Sequence, residues 1–414
     1  MAILVVCAGC ATQSGGLASK SAGEIPTLTA RLARDTANHQ AQAALGAAYL
    51  QVGRPGDARP LLEKAVAGRP QDGTSIINLG LTYEALDRYG DARRLYEQYL
   101  KVGRSRALRN DLNQRLLLVH RKEMETAARQ AVARERELST TPPRPRTVAV
   151  FPFRVVQADS AIRPLGRALA ELLVVDLSQT ERLTVLERLQ VQLLIDELDM
   201  SAAGLVDPRQ AVRGGRMLSA ERIVQGTLGG RAQALELNAA VVQVQDGARE
   251  PTAGRPALTE TGELNRFMEA EKRLVFKIYE TLGVQLTVAE RERINRRATD
   301  NLQAILAYGL GLEALDAGNY PQAAQHFAEA VRIDPNFELA KEKAEQTRDL
   351  ATATTVSTAE LVEKAGIESA LPPSRAADFF LPSILTRDPV AEVLGSEEVR
   401  RRTIIELIFR RPNN

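Results

Sequence analysis

The chain has 414 residues, 44% of them hydrophobic but only 4% aromatic and none of them Trp. That is enough chain for two to four domains, and the balance implies helices packed through Ala and Leu. Lys and Arg number 54 against 52 Asp and Glu, a formal net charge of +2; mixed signs near neutrality exclude a dedicated nucleic-acid binder, which carries a clustered basic face.

The two cysteines are Cys7 and Cys10, so no later segment can depend on a disulfide. Met1-Ala-Ile-Leu-Val-Val-Cys-Ala-Gly-Cys10 is apolar and ends in two small residues before a cysteine. A redox C-x-x-C pair needs a βαβ setting, which this segment does not offer. The segment resembles a lipobox with Cys10 as lipid acceptor, since signal peptidases need small side chains at a narrow cleft. A frayed cytoplasmic N-terminus is the competing reading. The run is short and lacks a basic n-region, so the native start is expected upstream of Met1. Residues 1–10 therefore read as a lipoprotein signal and 11–25, rich in Gly, Ser and Ala, as a flexible tether. Ala11 and Thr12 stand where an Asp would retain a lipoprotein in the inner membrane. The expected location is the outer membrane, lipid-anchored on the periplasmic face. No later stretch reaches the roughly 18 apolar residues of a spanning helix.

Helical periodicity begins near Pro26 and repeats. Leu45, Gly46, Tyr49, Ala58, Leu62, Ala65 and Pro70 are followed by Leu79, Gly80, Tyr83, Ala92 and Tyr96, offset by 34 residues (79 − 45). Period and pattern are those of tetratricopeptide (TPR) repeats: Leu-Gly and Tyr let the helices of a hairpin approach, and small Ala residues sit at the crossings. The second copy has Tyr99 where Ala is usual and Arg104 where Pro is usual, so 26–104 read as N-terminal repeats with an imperfect last copy. Residues 105–139 read as a charged capping or spacer helix, and the three prolines of 140–146 as a linker.

A different texture follows over 147–286. Val148–Phe153 and Leu183–Leu186 predict strands, 164–178 and 187–200 amphipathic helices, and Asp207-Pro208 an N-cap with Pro at the first helical position. Ile223–Leu228 and Leu235–Val244 predict further strands, before a helix over 263–282. Val148-Ala-Val-Phe-Pro-Phe153, Leu183-Thr-Val-Leu-Glu-Arg188, Leu194-Ile-Asp-Glu-Leu198, Gly204-Leu-Val-Asp-Pro208 and Ala220-Glu-Arg-Ile-Val-Gln-Gly226 together resemble the curli-secretion (CsgG) and TolB N-terminal-like families, which include FlgO-type lipoproteins. The resemblance implies a small α/β domain of envelope-assembly proteins without catalytic activity. Glu187 and Arg188 read as a helix-starting acid at the positive end of the dipole beside an ion-pair partner. Gly226, Gly229 and Gly230 read as a tight turn.

Leu310, Gly311, Ala323, Phe327, Ala330 and Pro335 give a third repeat copy, so 288–350 reads as a C-terminal repeat with a capping helix. A lone repeat cannot bury its apolar face; it must pack on a neighbouring element or chain. Residues 351–414 are poorly patterned, with a terminal strand over Arg402–Phe409 favoured over a short helix. The expected fold class is α+β multidomain, with α-helical TPR hairpins flanking a small CsgG/TolB-N-like α/β domain.

The histidines His39, His120 and His326 are far apart, and no Walker, zinc-protease or serine-hydrolase motif is present. No catalytic residue, metal site or cofactor is expected. The repeat groove is the candidate binding surface, near Ile77, Asn78, Leu81 and Glu84 and near Tyr308 and Leu312, for an extended segment or helix held by apolar contacts; such positions are equally often inter-helix core. The expected partners are proteins, through the groove and the α/β domain, with membrane contact through the lipid and a homo-oligomer left open. The leading reading is a protein-interaction scaffold in envelope or secretion-complex assembly. The runner-up is a subunit of a curli-like secretion pore, and the third an enzyme or small-ligand sensor.

Overall fold

The computed structural model describes residues 11–156, 160–200, 207–230, 234–245 and 258–368. They form two compact units: one runs to Glu123 and resumes at Asp349, and the other is Met124–Arg348. Cys10, the connector 246–251 and the expected strand over 402–409 lie outside the described residues.

In the first unit, α1 (Ala11–Arg34) precedes two hairpins, α2 (His39–Gln51) with α3 (Pro55–Gly68) and α4 (Gly73–Ala85) with α5 (Tyr89–Val102), followed by the start of α6 (Arg106–Ala133). The expected tether over 11–25 is instead part of α1. No proline interrupts the segment before Pro26, and α1 packs on α2, with the buried Ser21 donating its hydroxyl to Gln51. The repeat glycines sit where hairpin helices cross. A Cβ on Gly46 would meet Leu62 Cγ at 2.6 Å, and one on Gly80 would meet the Tyr96 ring at 2.4 Å. Ala58 is fully buried against the same crossing. Replacing Ala58 with Leu overpacks it and is expected to cost roughly 1–3 kcal/mol. Calorimetry of the full chain should show the first unit melting earlier and the second unchanged; an unmoved first transition would place the repeats in the wrong register.

The second unit opens with the end of α6 and the short α7 (Glu135–Leu138), and is built on a mixed sheet of order β3-β1-β4-β5-β6, with β2 also pairing β4. The strands are β1 (Thr147–Val150), β2 (Arg154–Val156), β3 (Thr184–Val185), β4 (Arg222–Gly229), β5 (Ala234–Gln243) and β6 (Leu258–Glu263). The strand expected over Val148–Phe153 is split. Val150 pairs with Val224 and Arg154 with Thr227, so four steps on one side face three on the other, a bulge. Pro152 lies inside it, where its missing N–H removes no ladder bond. One face is covered by α9 (Arg188–Glu197) and α10 (Pro208–Met217), which join Phe151, Ile223 and Val244 in one core. Helices α8 (Leu165–Leu177) and α11 (Phe267–Thr281) also pack on the strands. All four residues of β1 are buried, which explains its unbroken apolar run. Asp207 caps α10 by accepting from the Arg209 N–H at 2.9 Å, with Pro208 at the first helical position.

After α12 (Val288–Asn295), the third repeat copy is the hairpin α13 (Leu302–Asp316) and α14 (Tyr320–Ile333), followed by α15 (Glu338–Ala353). Its neighbour is the α/β domain: α13 packs on α8, so closely that a Cβ on Gly309 would lie 2.4 Å from the Pro164 carbonyl oxygen. Beyond it, the stretch expected to be unpatterned holds α16 (Thr358–Glu368). Leu361, Val362 and Ala365 form its buried stripe, too short a signal to stand out among Thr, Ser and Pro.

Candidate protein-interaction site

Helices α2 and α4, the first helices of the two hairpins, form one surface of the first unit, and α16 packs on both. Ile77, Asn78 and Leu81 on α4 are buried, and the apolar cluster containing Ile77 and Leu81 includes Leu361, Val362 and Ala365. The groove residues expected on α4 therefore lie together, against a helix of the same chain. Glu84 is tied into the fold: both its oxygens accept from Arg115 Nε at 3.1 Å, and Tyr96 donates its hydroxyl to it. Burial, then the charge of Glu84, holds the Tyr96 hydroxyl well above its ordinary pKa.

The end of the groove is polar. Glu368, 3% exposed, accepts from the Tyr99 hydroxyl at 2.9 Å, the Arg104 N–H at 2.5 Å and the Ser105 N–H at 2.9 Å. Thr74 Oγ1 donates to the Ala365 carbonyl at 2.8 Å. Burial, then the Glu368 charge, pushes the Tyr99 hydroxyl up, so it stays a donor. No sequence signal marked Glu368, because its three donors are a Tyr and two backbone amides far away in the chain.

Tyr308 and Leu312 do not line an open groove. Both are fully buried in the second unit, with the Tyr308 ring 5.3 Å from Phe327 and 5.0 Å from Phe337. Tyr308 is held within the repeat itself, by Phe327 of α14 and by Phe337, and α13 also packs on α8. Beside them is a group of charges. Arg188 donates to Glu171 at 2.8 Å and, through both terminal nitrogens, to Asp316 at 3.0 and 2.7 Å. Arg167 reaches Asp316 at 3.0 Å and Glu313 at 3.2 Å, and Lys343 reaches Glu171 at 3.1 Å. Arg188 is thus paired across helices, with Glu171 and Asp316. Burial pushes the Glu171 carboxyl up, but Lys343 and Arg188 outweigh it and hold the group below the usual range.

A second buried group lies between α8 and α11. Asp176 accepts from Lys272 Nζ at 2.5 Å, with Glu271 3.4 Å from the same amine. Burial, then the charge of Glu271, holds the Asp176 carboxyl well above its ordinary value. A raised carboxyl favours the folded state at low pH, and that contribution is lost as pH rises from the unfolded carboxylate range through the folded value. Asp176→Asn is expected to flatten the fall in the second unit's urea midpoint as pH rises above the unfolded Asp value of about 4; an unchanged slope would rule out Asp176 as its source.

The family described as "Curli production assembly/transport component CsgG" matches residues 129–239, and "Tetratricopeptide repeat" matches 73–108. No curated relative matches the chain. Among solved structures, the LpoB C-terminal domain from Salmonella enterica is 16% identical, with 34% of this chain and 96% of that one covered, at a TM-score of 0.23. A tetratricopeptide repeat protein from Parabacteroides merdae is 14% identical, covering 81% and 99%, at 0.22. Yeast Tom70 is 13% identical, covering 94% and 76%, at 0.24.

Proposed function

We propose, from the premise that one chain joins a CsgG-type domain to tetratricopeptide repeats, that this is a non-catalytic, outer-membrane-anchored lipoprotein. It faces the periplasm and acts as a protein-interaction scaffold in envelope or secretion-complex assembly. The observation that carries the interaction role is α16 lying on α2 and α4: the repeat surface accepts an amphipathic helix, as a protein-binding groove does. The runner-up, a secretion-pore subunit, needs strands with a lipid-facing apolar side. In β6, Glu260 instead pairs with Arg273 at 2.6 Å and with Lys277, both on α11. Burial pushes its carboxyl up, and the bonds from Lys277 and Arg273 more than reverse this. A strand whose inward side chain is neutralised by a helix of its own domain belongs to a covered sheet.

The anchor is tested at Cys10. Expressed from the native locus, the wild-type protein is expected in outer-membrane fractions and Cys10→Ala in the soluble periplasmic extract. A Cys10→Ala protein that still fractionates with the membrane at wild-type level would remove lipid from the account.

A further inference from the structure

The second repeat copy departs from the repeat pattern at two places, Tyr99 for Ala and Arg104 for Pro, and both departures serve Glu368. Ala has no hydroxyl to donate and Pro no N–H; Tyr99 supplies the first and Arg104 the second. Ser105, which also caps α6 by accepting from the Leu108 N–H at 3.2 Å, adds its own N–H. The carboxylate therefore sits at the positive end of α6 in a purpose-built cradle. Gly73 clears the approach: a Cβ there would lie 2.9 Å from the Tyr99 ring and 3.0 Å from Glu368 Oε1.

The occupant is a weak helix. Its buried stripe is only Leu361, Val362 and Ala365, and a helix takes most of its stability from the packing of such a face, so α16 depends on the groove for its shape. Gly366 lies inside it with nothing among the described residues within 4 Å of a would-be Cβ, so no steric demand among them accounts for a residue that weakens helices. Ile367 is 58% exposed. On α4, Asn78 keeps a buried Oδ1 that accepts no hydrogen bond among the described residues. The cradle is well made and the helix in it is not.

We propose that α16 is a self-held stand-in, and that the groove binds an amphipathic helix of another protein which displaces it. That helix bears two adjacent aliphatic side chains, a small residue about one turn later and a carboxylate a turn beyond, the pattern Leu361, Val362, Ala365 and Glu368 present. This rests on the scaffold reading but uses neither lipid nor membrane, so its failure would leave the Cys10 result standing, and the converse.

The test uses the full chain and a fluorescent synthetic peptide with the sequence of residues 356–370. Leu361→Asp, which unseats the resident helix, is expected to raise peptide affinity roughly tenfold over wild type. Gly366→Ala, which strengthens the resident helix, should lower it about fivefold. A peptide with Gln at the place of Glu368 should bind roughly tenfold more weakly to every chain, since it cannot offer a charged acceptor. A protease site inserted after Thr354 serves as a second way to free the groove, with no side chain changed; cutting should raise affinity as Leu361→Asp does. Equal affinity of cut and uncut chains, or of Glu and Gln peptides, would overturn the proposal. So would a dimer by sedimentation in which α16 crosses to a second copy, because the occupant would then be this chain.

Discussion

Arg188→Ala is expected to destabilise the second unit by roughly 3–5 kcal/mol, the cost of removing one partner from a buried charge cluster. Arg188 is 4% exposed and makes three charge-assisted bonds, one to Glu171 and two to Asp316. Its loss takes two bonds from Asp316, which keeps Arg167, and one from Glu171, which keeps Lys343, in a site with little water to solvate them. Arg188→Lys keeps the charge but not the fork that bonds both Asp316 oxygens, and should fall between. Replacing both partners, Arg188→Met with Asp316→Leu, removes a charge of each sign and should recover much of the loss. Urea unfolding checks the series. A loss below about 1 kcal/mol for Arg188→Ala would mean that water reaches the cluster.

Gly226→Val should cost at least as much as overpacking in an apolar core, roughly 3 kcal/mol or more. A Cβ on Gly226 would lie 2.1 Å from the Asn238 carbonyl oxygen and 2.5 Å from the Phe153 ring. A side chain can swing aside, but Asn238 belongs to β5, whose ladder to β4 pairs Gly226 with Ala239. Relief therefore means pulling apart the central pair of the sheet. Gly226→Ala should lose less than Val but still measurably, because the first carbon already collides. Loss of the second unit's cooperative transition is the expected result for Val; a wild-type midpoint would contradict the bulge-and-glycine geometry.

The repeats were legible because their constraint is local and periodic. A Gly at each crossing and a large residue facing it, Gly46 with Leu62 and Gly80 with Tyr96, recur at fixed spacing along the chain. The α/β domain was legible where runs of buried residues are unbroken, as in β1. The reading failed where partners are distant in sequence. Arg188 was paired with its neighbour Glu187, whereas its partners stand at 171 and 316. From the sequence Gly226 reads as part of a turn, because nothing local shows that a bulge at Phe151–Phe153 presses a ring upon it. Ile77, Leu81, Tyr308 and Leu312 were assigned to a groove from hairpin position alone, and the covering helices, α16 for the first pair and α8 near the second, could not be foreseen from either repeat. Tyr99 and Arg104 were visible as departures from the pattern, but their meaning waited on Glu368.

The central claim, scaffold against pore, is tested most directly by conductance. Purified full-length protein would be reconstituted into planar bilayers. With β4, β5 and β6 committed to a sheet covered by α11, the account predicts no unitary current at any protein density; reproducible channel openings that vanish when residues 226–262 are replaced would contradict it.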